Sequence, residues 1–239
     1  LGFGFLAIWV IIASMTSFTV DHILKLNTAF YQSIAKDFSK TRRYPWKGWG
    51  RVGDFLKKWP VDQKLRILDV GCGNGRFLSF LNDSRKAPFS YLGIDNNDNF
   101  LHECKTNFKD LKSSKFKKLD AFTDLYQTKG SFGVVVVFGL THHLPSGEFF
   151  NTWLKQVVAL VCERGYLFLS FWYPKNTKPG TYLFGWDSRT NVSRYVHVFS
   201  LREIEHLTKL LLIGFELCED YTDDTLKDDH NRYLVFRKR

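Results

Sequence analysis

No two cysteines in this chain stand at CxxC spacing. Cys72, Cys104, Cys162 and Cys218 lie far apart, which excludes a local zinc ribbon and a redox dithiol. They read as reduced thiols of an intracellular protein, and a cytoplasmic location is the matching expectation. Neither an internal repeat nor a low-complexity tract is present, and 44% of the residues are hydrophobic, so disorder does not describe the whole. Methionine is scarcer than cysteine, with Met15 the only one. Charge is missing altogether from residues 1–20, LGFGFLAIWVIIASMTSFTV, and with it the basic region that opens a cleaved secretory signal. The segment is about long enough to span a bilayer, although Ser14, Thr16, Ser17 and Thr19 dilute its second half. Two expectations follow: a native start at Met15 with residues 1–14 as upstream sequence, or an apolar anchor over residues 1–20 that makes a membrane the partner.

The 239 residues suit one large domain with an appendage. Lys and Arg number 34 against 24 acids, for a formal charge of +10. The excess falls in residues 36–66 and 105–118, blocks that favour a polyanionic partner. Acids gather near the end, at Asp220, Asp223, Asp224, Asp228 and Asp229, so basicity is a local property.

Apolar residues at Ile23, Leu26, Phe30, Ile34 and Phe38 predict a helix over residues 22–38 with one buried face, and Pro45 breaks the pattern. A second, short helix is predicted over residues 47–59, after which KLRILDV reads as a buried strand running into glycines. Then come strand FSYLGID, a helix over 97–108, strands FKKLDA and FGVVVVFG, a helix over 147–161 and strand GYLFLSFW. Such alternation implies a parallel sheet covered by helices. Residues 201–212 predict a last helix, followed by GFELCEDY and RYLVFRK as an antiparallel strand pair joined by a polar acidic loop.

ILDVGCGNGRFL places Asp69 at a strand end and Gly71, Gly73 and Gly75 in the turn before a helix, where backbone can approach a ligand closely. Asp95 follows 20 residues after Gly75, at the end of the next strand, placed to accept hydrogen bonds from both hydroxyls of a ribose. Asp120 ends the third strand. FGLTHHLP leaves the fourth strand at the mouth of the site. Adjacent side chains diverge, and no further His, Cys or Asp sits at ligand spacing from His142 and His143, so no metal is expected there. A rim histidine packed near the cofactor and general-base action by His143 are the two readings left open.

The DxGxGxG pattern resembles motif I of the class I S-adenosylmethionine methyltransferases, over roughly residues 60–175. The resemblance implies an α/β, Rossmann-like fold, a mostly parallel sheet with helices on both faces and a C-terminal antiparallel strand pair. It implies S-adenosylmethionine as cofactor, with Gly71 and Gly73 lining the methionine moiety, Asp95 holding the ribose and Asp120 with Ala121 at the adenine edge. Tyr31, Asp69, Cys72, Asn74, Gly75 and Asn96 complete the cofactor-binding set. Gly133 departs from the pattern, because the family commonly has an acid at the start of the fourth strand; local structural consequences are expected there, not loss of cofactor binding.

The flanks narrow the resemblance. FYQSIAKDFSKTRRYPW, residues 30–46, RYVHVF, residues 194–199, and the later GFELCEDYTDD and NRYLVFRK resemble the tRNA wobble-uridine carboxymethyl methyltransferases over about residues 26–239. That group includes the methyltransferase domain of the AlkB-homologue tRNA hydroxylases. The resemblance implies methyl transfer to the carboxylate of 5-carboxymethyluridine, giving the methyl ester, with the tRNA anticodon loop as partner and a small zinc-binding activator subunit as in eukaryotic relatives. A carboxylate is already nucleophilic at neutral pH, so the task is orientation. Arg42 matches the arginine of the family's F-S-x-T-R-x-x-P-W pattern and Arg194 is a second candidate; arginine holds a carboxylate through two parallel hydrogen bonds. Tyr31, Trp46 and Tyr195 can cover the cofactor or stack on an extruded base. The catalytic set is therefore Arg42, Arg194, Tyr195 and His143.

SKTRRYPWKGWGR, residues 39–51, would close as a lid with Arg43, Lys47 and Arg51 on phosphates. The plain alternative makes Trp46 and Trp49 core aromatics and the cations a solvated face. The expected organisation is the apolar segment 1–20, a helical lid over 21–59 and the methyltransferase domain over 60–239. Two other functions stay open, methyl transfer to a small-molecule acid or lipid-like metabolite and a non-catalytic RNA-binding or partner subunit that keeps the fold.

Overall fold

A computed structural model describes residues 10–11, 19–60, 62–84, 88–145, 147–174, 176–186, 191–226 and 229–239. Met15 and most of the apolar segment 1–20 lie outside the described residues, and among those described no helix is long and apolar enough to cross a membrane. In chain order the elements are β1 (Val10–Ile11), α1 (Val20–Thr41), α2 (Trp49–Lys57), β2 (Leu65–Val70), α3 (Arg76–Ser84), β3 (Phe89–Asp95), α4 (Asp98–Asn107) and β4 (Ser114–Lys118). They continue with β5 (Phe132–Val137), α5 (Glu148–Ala159), β6 (Val161–Pro174), β7 (Gly180–Gly185), β8 (Ser193–Val198), α6 (Leu201–Leu211), β9 (Phe215–Leu226) and β10 (Asp229–Lys238).

Seven strands form the main sheet in the order β4-β3-β2-β5-β6-β10-β9. The first five run parallel, and β10 lies antiparallel between β6 and β9. All six residues of β5, FGVVVV, are buried, as a strand covered on both faces requires. At one edge, SKFKK of β4 is mostly exposed, and its lysines discourage pairing with another chain. One apolar cluster joins Trp153 of α5 and Ile204 of α6 to the sheet, and the other joins Trp49, Val52 and Phe55 of α2 and Phe77 of α3 to it. Trp49 is thus a core residue, and α2 is part of the layer covering the sheet.

The helix ends have local causes. Thr19 caps α1 by accepting from the His22 N–H at 3.3 Å. Ser200 and Glu203 form a reciprocal capping box on α6.

Three features differ from the sequence reading. Strand β4 ends at Lys118, so Asp120 lies beyond the strand. The stretch read as an acidic loop extends both C-terminal strands: Asp223 pairs with Asn231, and Arg232 reaches Asp220 through Nε at 2.8 Å and Nη2 at 2.6 Å. The hairpin of β7 and β8, which forms a second sheet with β1, carries no strong periodic signal in its own sequence. Gly133 has a steric cause, because a Cβ there would lie 2.5 Å from Cη2 of Trp59 and 2.8 Å from Cδ1 of Leu65.

Candidate active site

A cavity of about 310 Å³ opens where the C-terminal ends of β2, β3 and β5 face α1 and residues 42–46. Its floor is the glycine turn. Gly71, Gly73 and Gly75 have φ of +77°, +53° and +79°, a region that L side chains rarely adopt. Their duties differ. A Cβ on Gly73 would meet nothing within 4 Å, so the bare backbone faces open space, whereas one on Gly75 would lie 2.7 Å from Phe108 and 3.0 Å from Cys104 Sγ. Gly75 makes room for α4 and does not line the cavity. Both Cys72 and Cys104 donate S–H to the Gly73 carbonyl, at 3.8 and 3.3 Å, which steadies the turn.

Backbone and side-chain donors hold the acids. Asp95 accepts from the Gly73 N–H at 2.8 Å and from the Asn97 N–H at 2.9 Å, and burial still raises its pKa to about 6. A carboxylate has about four acceptor positions, so acceptor capacity remains for ribose hydroxyls. Asp120 accepts from Phe122 N–H at 2.8 Å and from the Asn96 amide at 2.8 Å. Asp69 is buried with the Tyr91 hydroxyl donating to it at 2.6 Å, and burial pushes its pKa to about 7. Tyr91, invisible as a site residue in sequence, supports that acid from the next strand.

Opposite the turn, α1 is pinned by Asn27, whose side-chain oxygen accepts from the Tyr195 N–H at 2.7 Å and whose amide donates to the His143 carbonyl at 3.2 Å. Asn27 carries a signal legible in sequence, a polar residue on the buried face with Ile23, Phe30 and Ile34. His143 Nδ1 lies 3.2 Å from the Tyr195 carbonyl, which can only accept, so Nδ1 carries the proton. Nε2 is then the acceptor of the Tyr31 hydroxyl at 2.8 Å. Burial and nearby Arg194 push the His143 pKa down to about 3. With both nitrogens engaged and its pKa lowered by burial, His143 is placed to position Tyr31. Tyr195, expected to act through its ring, contributes its backbone N–H and carbonyl instead, while its hydroxyl sits 3.4 Å from Thr181 and its ring does not line the cavity. The rings of His142 and His143 do not diverge; their centroids are 4.2 Å apart.

Arg194 lies among aromatic faces, its guanidinium carbon 5.0 Å from the Phe30 ring, 5.6 Å from Trp172 and 5.9 Å from Tyr31. Its Nε is buried without a hydrogen-bond partner among the described residues. Arg42 lies by the glycine turn, its carbonyl accepting from the Asn74 amide at 3.1 Å and its guanidinium 5.5 Å from the Trp186 ring. Arg76 stacks 4.9 Å from Trp46 and 5.4 Å from Trp49, and burial with neighbouring Arg42 lowers its pKa to about 10. Residues 42–48 are also held at their far end, where Tyr221 donates to the Gly48 carbonyl at 2.9 Å. Arg51 is engaged elsewhere, 4.7 Å over Tyr221 and 3.4 Å from Glu219.

Glycine backbone against open space, a ribose acceptor with spare lone pairs and a polar end by Asp120 match the parts of S-adenosylmethionine. The sequence pattern of a family described as a methyltransferase domain matches residues 68–167. The fold is that of the class I S-adenosylmethionine-dependent methyltransferases. The chain superposes on the magnesium protoporphyrin IX methyltransferase of Synechocystis with bound cofactor with a TM-score of 0.62 at 16% identity, covering 95% of this chain and 99% of that one. In sequence it is 27% identical over 151 residues to a tRNA (carboxymethyluridine(34)-5-O)-methyltransferase of Xenopus tropicalis, covering 61% of this chain and 22% of that protein. The Arabidopsis thaliana protein of the same name is 28% identical over 143 residues, 59% of this chain and 31% of that one. The chain thus spans about a fifth to a third of the length of these curated relatives. A candidate methyltransferase of Encephalitozoon cuniculi matches over more of its length, at 26% identity over 203 residues, 80% of this chain and 83% of that one.

Proposed function

We propose that this chain methylates the carboxylate of 5-carboxymethyluridine at the wobble position of tRNA, forming the methyl ester. Arg194 carries the reading: a guanidinium in the cofactor's cavity, ringed by aromatics, with a buried N–H that no described residue accepts. A carboxylate supplies the missing acceptor and the opposite charge, and a planar fork orients it. The relatives named as carboxymethyluridine methyltransferases support the same substrate.

Bound cofactor supplies an electrophilic methyl group on sulfonium. The chain's own residues do the positioning. Asp95 and the glycine turn fix the cofactor, Arg194 turns one carboxylate oxygen toward the methyl, and Tyr31, locked by His143, closes the wall between them. Alignment of two reactants can supply about 7–11 kcal/mol, and no base is needed because the nucleophile is already ionised. That agrees with a cavity whose two histidines are both held neutral by burial.

The test is incubation with labelled S-adenosylmethionine and two tRNA pools, one carrying the carboxymethyl group and one lacking it, followed by mass spectrometry of nucleosides. Label is expected only in the methyl ester from the first pool. Equal labelling of both would end the carboxylate reading, and labelling of small acids alone would move the enzyme to metabolite chemistry.

A further inference from the structure

His142 is 6% exposed, yet it lines the cavity, and its Nδ1 has no hydrogen-bond partner among the described residues. A buried, unpaired ring nitrogen is costly, and native proteins keep few of them without a use. The ring is held in place by flat neighbours, with His143 at 4.2 Å and Trp172 at 5.3 Å between centroids. Burial, His143 and Arg194 hold it neutral, so it presents one N–H donor and one bare nitrogen acceptor. Asn231, 2% exposed and facing Trp172 across the β6–β10 ladder, lines the same wall. Arg194, 5.6 Å from Trp172, places the carboxylate position beside this wall.

We infer that His142 reads the hydrogen-bonding edge of the substrate's pyrimidine ring and so determines which base is accepted. The inference rests on the wobble-uridine reading above. A uracil edge alternates carbonyl acceptors with one N–H donor, and a neutral imidazole can complement either. The carboxylate alone would not need such a group; a heterocycle carrying it does. No bond is made or broken by His142, which makes it a specificity residue and not a catalytic one.

A purely structural His142 and a base-reading one predict opposite results for His142→Phe, which keeps a flat ring and removes the nitrogens. Loss of an orphaned polar atom leaves stability unchanged or raised, so the melting temperature is expected not to fall, and calorimetric affinity for S-adenosylmethionine to stay as in the parent. Methylation of carboxymethyluridine tRNA is expected to lose about tenfold or more in kcat/KM, the usual cost of a missing hydrogen bond at a built site. His142→Asn, which restores a donor and an acceptor, should recover part of that loss and keeps the test alive if phenylalanine is not accommodated. Parental kcat/KM in His142→Phe, or no recovery with His142→Asn, overturns the inference while the wobble reading stands. A parent protein that binds cofactor but leaves carboxymethyluridine tRNA unmethylated overturns both.

Discussion

The acids at one end of the cavity differ from Arg194 and His142 at the other in how they are satisfied. At the glycine-turn end, Asp95, Asp120 and Asp69 each have donors in place, and the thiols of Cys72 and Cys104 share one carbonyl. At the β8 end, Arg194 Nε and His142 Nδ1 are buried and unpaired among the described residues. Satisfied groups hold a shape that is ready before the cofactor arrives, as preorganisation requires. Unsatisfied ones are costly, and on the proposed function substrate supplies their partner. The turn is therefore read as a rigid receptor for a common cofactor, and the β8 wall as the part that selects the acceptor.

The contrast is broken most directly by Arg194→Lys, which keeps the charge and removes the fork. Hydrogen bonds to charged groups are worth ~1.5–3 kcal/mol, so turnover on carboxymethyluridine tRNA should fall by about 10- to 100-fold with cofactor affinity unchanged. Equal loss in both would merge the two ends into one.

Asp95→Ala makes the reciprocal cut. Cofactor affinity should weaken by ~1–3 kcal/mol, read by titration calorimetry, since the ribose loses a charged acceptor. The same group sets a pH dependence. Only the ionised carboxylate accepts from both hydroxyls, and with its pKa raised to about 6 in the free protein, affinity should decline as pH falls through 6 and level off above 7. Asp95→Asn should lack that slope. His143, with a pKa near 3, adds none near neutrality.

Arg42 sharpens the comparison because sequence places it with the substrate and the Asn74 amide places it beside the turn. Arg42→Lys, which keeps the backbone contact to Asn74 and alters only the cation lining the cavity, is expected to weaken cofactor binding severalfold, about 1 kcal/mol, with single-turnover rate at saturating cofactor near the parent value. A rate defect at unchanged cofactor affinity would return Arg42 to the substrate end. Smallest of all is Lys47→Ala on the exposed rim, expected to flatten the salt dependence of tRNA binding by about one unit of logarithmic slope. Arg51→Ala, paired with Glu219, should change it less.

Sequence by itself determined the alternation of strands and helices, the glycine turn and the acid that follows it, because these are local: a buried strand, φ > 0 glycines and an acid at the next strand end lie within thirty residues of one another. It also carried Arg194 and Tyr31 as candidates, through their flanking stretches. Which atoms would be left unpaired was not legible. That depends on which groups meet across the fold: Asn27 binding Tyr195 and His143 over 168 and 116 residues, Tyr91 reaching Asp69, and Trp172 closing on Arg194 and His142. The same cause sets the roles of three further residues. Gly75 serves packing since α4 abuts it, His143 holds Tyr31 since a carbonyl fixes its tautomer, and Tyr195 contributes backbone since β8 turns its ring away from the cavity. Hydrogen-bond satisfaction is a property of tertiary neighbours, and no pattern of residue types along the chain encodes it.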